Sequence, residues 1–129
     1  MGLLTALTGN RAFTDPEADD PRLRGRIYGV PFARVWQAAD EVARATRGWT
    51  VVSSDPRAGE IVAEARTRLW KFTDDVWVRL SLDEDGQTRV DMASASRKGS
   101  ADLGTNARRI ARFLRTLDAR LSGSNRVNR

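Results

Sequence analysis

Two alternating runs, "DVWVRLSL" and "TRVDMASAS", stand on either side of "DEDGQ". In the first, Val76, Val78, Leu80 and Leu82 share one side, and Trp77 and Arg79 the other. In the second, Val90, Met92, Ser94 and Ser96 share a side, so that face turns from apolar to hydroxyl along its length. A period of two fits an extended strand buried on one face and little else. "DEDGQ", with Gly86 near its end, is a hairpin turn. A lone hairpin is marginal in water, so other elements must cover its apolar face.

Two amphipathic stretches supply that cover. After "RIYGV", a short strand, Pro31 leads into a helix whose Phe32, Val35, Trp36, Ala39, Val42 and Ala43 form one stripe, with Gly48 near its carboxyl end. The second helix, "NARRIARFLRTLDARL", carries Ile110, Phe113, Leu114, Leu117 and Leu121 on one stripe and Arg108, Arg112 and Arg115 on another face. Between them "WTVVSS" and "EIVAEAR" read as strands joined by the turn "DPRAG", with Ile61, Ala63 and Ala65 on one side. "TRLWKFT" either continues the second strand or bends away. The expected fold is α+β: an antiparallel sheet of about five strands in the order β-α-β-β-β-β-α, with both helices on one face and the other face partly wet.

A chain of 129 residues suits one domain. The prolines and acids of "TDPEADDPRLR" suggest a linker, so residues 1–25 are expected to be extended or disordered. The domain then spans residues 26–121, and the polar residues 122–129 form a disordered tail. "MGLLTALTGN" is too short to cross a bilayer and has no basic residue ahead of its apolar run; Ala6 stands where a lipidation signal needs Ser or Thr. No transmembrane segment and a cytoplasmic location are therefore expected.

The chain has no His and no Cys, which removes the Ser-His-Asp triad, thiolate chemistry and the usual zinc ligands. No catalytic residue, metal or cofactor is assigned. The net charge is +5, but the basic residues are interspersed with 17 acids, which argues against nucleic acid as partner. Neither GxxxxGK[ST] nor GxGxxG occurs, so nucleotide cradling has little support.

The stretch "SASRKGSADLGTNARR" does not fit either pattern. Together with "DDV" at 74–76, it resembles the family known as domain of unknown function 1499. That resemblance rests on Asp74, Asp75 and Val76, on a Ser-x-Ser-Arg-x-Gly-x-x-Asp-x-Gly-x-Asn loop formed by Ser94, Ser96, Arg97, Gly99, Asp102, Gly104 and Asn106, and on Arg109 in the helix that follows. It spans roughly residues 26–121 and implies no activity. Two features depart from the family: its Cys-Pro…Pro-Asn-Cys segment has no counterpart here, and Ala93 stands where an Arg is common.

Two readings of the loop follow. Gly99 and Gly104 would permit a positive φ or a close approach, and Asp102 or Asn106 could cap the helix. In the first reading the loop is a polar clamp holding helix to sheet, with Arg97 paired to Asp74 or Asp75. Asp74, on the core side, is the better partner. In the second, Arg97, Arg109, Ser94 and Ser96 bind a small anion or an acidic lipid headgroup. Asp74 and Asp75 point to opposite faces and cannot converge as a catalytic pair, which leaves an unspecified hydrolase as the remotest reading. Trp36, Trp49, Trp70, Phe72 and Trp77 are core, or line a groove between helix and sheet. The expected function is a non-enzymatic binding or interaction module, its partner an unknown protein or a small acidic ligand.

Overall fold

A computed structural model describes residues 7–8, 11–67, 72–97 and 103–127. The strands are β1 (Leu7–Thr8), β2 (Arg11–Phe13), β3 (Arg26–Tyr28), β4 (Trp49–Asp55), β5 (Glu60–Arg66), β6 (Thr73–Leu82) and β7 (Thr88–Ser96). The helices are α1 (Phe32–Ala45) and α2 (Leu103–Val127), with a short 3-10 turn at Pro21–Leu23.

Strands β4 to β7 form an antiparallel meander. β2 and β3 share the free edge of β7: β2 pairs beside Ala93, Ser94 and Ala95, and β3 beside Thr88, Arg89 and Val90. The fold is α+β, and from β3 to α2 the elements follow the expected order, with β1 and β2 added to the five strands expected. Residues 11–25 depart from expectation. They are folded rather than extended or disordered, and Ala12, Ala18 and Leu23 are almost fully buried. The Pro21–Leu23 turn touches α2. Its acids cap and close turns: Asp20 accepts from the Arg22 amide and Asp15 from the Glu17 amide. The far end also departs, because α2 stays helical to Val127, past the point where a tail was expected.

Both helices lie on one face. α1 buries Val35, Ala38, Ala39, Val42 and Ala43, with Phe32 and Trp36 stacked at its edge. α2 buries Ile110, Phe113, Leu114, Leu117 and Leu121. These meet Ile61, Ala63, Ala65, Val76, Val78, Leu80, Val90 and Met92 from the sheet. Leu82, placed on this face by its parity, is 61% exposed at the end of its strand.

Turn chemistry sets the strand lengths. At the β5 entry Gly59 adopts φ +71, and a Cβ there would run into the Leu80 carbonyl oxygen, so only glycine fits. Gly48 also has positive φ, but it lies in the turn into β4. Helix α1 ends earlier, at Thr46, whose amide and hydroxyl both donate to the Val42 carbonyl. In β4 a bulge leaves Val52 unpaired and 59% exposed. Partway along α2, Asp118 accepts from the Tyr28 hydroxyl at 2.6 Å and from Arg26 at 2.9 Å. Burial first, then this hydrogen bond, pushes the Tyr28 phenol well above its ordinary pKa.

Candidate functional site

The hydroxyl end of β7 meets the polar start of the α2 stripe. Asn106 stands four residues before Ile110, so it continues the apolar row inward. Ser94, Ser96 and Asn106 are all buried, and Asn106 is 0% exposed. Ser94 Oγ donates to Asn106 Oδ1 at 2.7 Å, and Asn106 Nδ2 donates to Ser96 Oγ at 3.0 Å. Arg109 Nη1 donates to Asn106 Oδ1 at 2.9 Å and to Ser94 Oγ at 3.1 Å. The same nitrogen lies 2.8 Å from Oδ2 of Asp74, whose side chain is 2% exposed.

That carboxylate oxygen has the ion pair but no aligned hydrogen-bond donor. Arg109 is thus the sole neutralising group for a buried charge among the described residues. One network ties β6, β7 and α2 at the start of the helix. Asn106 therefore lies in the helix, bonded to the sheet, and not at the cap position. Gly104 is in the first helical turn and not at positive φ. Gly99 and Asp102 lie outside the described residues, as does Trp70.

Arg97 does not join this network. One residue beyond Ser96, it falls on the opposite face of the sheet. There it holds Asp75 through Nε at 3.1 Å and Nη2 at 2.7 Å, and Glu64 through Nη2 at 2.7 Å. These carboxylates raise its pKa further, so it stays charged. Parity corrects the expected pairing: Asp74 faces Arg109 inside and Asp75 faces Arg97 outside. Arg97 and Arg109 therefore cannot share one anion pocket with Ser94 and Ser96, and the two aspartates do not converge.

A different concavity opens beside the clamp. It holds about 750 Å³ between the end of α1, the turn into β4, the end of β5 and one side of α2. Its apolar part is Val42, Ala45, Ala65, Trp49 and Phe113, and the last two rings stack 5.4 Å apart at 3°. Around it stand Arg47, Arg66, Arg108, Arg109, Arg112 and Arg120, with no carboxylate among the described residues of the lining. Arg109 is neutralised by Asp74, and Arg120 by Glu41 at 3.0 Å. Among the described residues Arg47, Arg66 and Arg112 have no acidic partner.

Of the five aromatic residues proposed for a groove, Trp49 lines this cleft, Trp36 stacks on Phe32, and Phe72 and Trp77 are exposed. Sequence reasoning placed Arg108 and Arg112 together on α2. It could not bring Arg47 and Arg66 to them, since that needs the turn at 47–49 to fold against the helix. Among the described residues no cluster of His, Cys, Asp or Glu could hold a metal ion, and no helix is long and apolar enough to cross a membrane.

The sequence profile of a family described as "Protein of unknown function (DUF1499)" matches residues 3–117. The chain belongs to this family. The matched residues take in both the clamp and most of the cleft. No curated protein matches the chain. Among solved structures, a structural-genomics protein from Nitrosospira multiformis superposes with TM-score 0.59 at 12% identity, over 90% of this chain and 99% of that one. A protein from Chromobacterium violaceum gives TM-score 0.45 at 12% identity, over 85% and 96%. The first likeness shows the fold alone.

Proposed function

We propose that this DUF1499 protein is a non-catalytic binding module that takes an anionic ligand in the arginine-lined cleft. The supporting observation is the lining itself: six arginines stand around one cavity with no acid among its described residues, and Arg47, Arg66 and Arg112 have no acidic partner among the described residues. Like charges held together around a low-dielectric surface repel one another, and a bound anion relieves that repulsion. The clamp supports the site by fixing α2, which carries Arg108, Arg109 and Arg112. Chemistry has less support: Asp74 is committed to Arg109, Asp75 faces away, and the sequence has no His or Cys.

Inorganic pyrophosphate at low ionic strength tests the reading. It should raise the thermal midpoint of the parent protein and leave that of Arg66→Ala/Arg112→Ala unchanged. An equal rise in both would place the anion elsewhere.

One observation favours a second reading, an interaction surface on the open sheet face. Phe13, Ala93, Trp77 and Val62 fall in one register row across β2, β7, β6 and β5, and Trp77 is 36% exposed. Concentration-dependent association that is lost in Trp77→Ser would support it.

A further inference from the structure

We infer that the ligand is an amphipathic anion, in which a phosphate- or carboxylate-type headgroup is bonded to an apolar chain. This rests on the anion-binding reading of the cleft and narrows it. A bare anion would engage only the rim. The cleft also presents the half-buried Trp49, stacked on the buried Phe113, with Ala45 exposed beside it, an apolar surface continuous with the core. Its volume of about 750 Å³ is that of a site for a drug-sized molecule and far exceeds a single phosphate.

Both chemistries line the one cavity. Arg108 and Arg112 are one turn apart on α2, and Arg66, at the end of β5, lines the same cavity. Guanidinium groups pair with phosphate or carboxylate through two parallel N–H bonds, which suits a terminal headgroup. Trp49 and Ala45 would then take the chain. An uncharged amphiphile would leave Arg66 and Arg112 without a counter-charge, and an inorganic anion would leave the exposed part of Trp49 in water.

The test is calorimetric titration of the full chain with butyl, hexyl and octyl phosphate, inorganic phosphate and octyl glucoside, each kept below micelle formation. Affinity for the alkyl phosphates should rise about two- to fourfold per methylene that becomes buried. Inorganic phosphate and octyl glucoside should both bind far more weakly than octyl phosphate. Arg112→Ala should weaken octyl phosphate by about tenfold or more, while Arg115→Ala, outside the lining, should not.

Affinity independent of chain length, with inorganic phosphate as good as octyl phosphate, would overturn the amphipathic inference and leave the anion site standing. Octyl glucoside binding as well as octyl phosphate, or no binding by any probe, would overturn both. Co-sedimentation with phosphatidylglycerol vesicles separates the sources. Binding that octyl phosphate displaces and Arg112→Ala abolishes identifies a lipid headgroup, whereas octyl phosphate binding without vesicle binding identifies a free amphiphile.

Discussion

Replacing Arg109 by Met should be a costly single change on α2. Asp74 is 2% exposed and the Arg109 side chain 12%, so the pair sits in the desolvated regime and not among surface ion pairs. Surface pairs contribute at most about 1 kcal/mol; removing one partner of a buried pair typically costs about 3–5 kcal/mol. The Arg109→Met variant also loses the donors that reach Ser94 and Asn106, although Ser94 still donates to Asn106. A loss of about 3–5 kcal/mol is therefore expected, against the roughly 5–15 kcal/mol that holds a domain of this kind together.

Urea unfolding followed by tryptophan fluorescence reads it directly, with an unchanged m-value. Arg109→Met/Asp74→Asn removes the stranded charge and should recover about 2 kcal/mol or more of the loss, a coupling that only a direct pair would give. A single-variant loss below about 1 kcal/mol, or a double variant no better than the single, would refute the reasoning.

Three smaller predictions follow from the same geometry. Arg97→Ala should barely move the unfolding midpoint, and high salt should erase the difference, because its partners Asp75 and Glu64 are on the open face. Tyr28 is the chain's one tyrosine, and its folded pKa lies above the ordinary 10.0. Its contribution is therefore complete below pH 10 and is lost as pH rises, at up to about 1.4 kcal/mol per pH unit, with Tyr28→Phe removing that slope in alkaline unfolding curves. Gly59→Ala should cost about 2 kcal/mol or more in the same urea assay, from positive φ and the clash with the Leu80 carbonyl; a neutral result would contradict the turn geometry.

What was legible in the sequence followed periodicity. The alternation at 75–96 placed the core face of the last two strands, and the stripes of both helices were visible because burial imposes a strict spacing on large apolar residues. Segment 11–25 was misread because it buries mainly small side chains, Ala12 and Ala18, with Leu23, beneath a polar composition that resembles a linker. Arg97 was misassigned by preferring the buried aspartate over strand parity, although parity alone puts it outside with Asp75. Ser94, Ser96, Asn106 and Arg109 stood out in the sequence, and their convergence on one network became clear once α2 was docked. The cleft was the least visible, since Arg47, Arg66 and Arg112 come from three elements whose meeting is a tertiary fact.

The most direct test of the cleft as the binding site is a two-dimensional 1H–15N NMR titration with octyl phosphate, following the tryptophan indole and arginine side-chain signals. The account predicts that the Trp49 indole and the Arg66 and Arg112 side chains shift together and saturate, while the Trp77 indole stays in place. Shifts led by Trp77 and Arg97, with Trp49 unmoved, would contradict it and move the binding surface to the open face of the sheet.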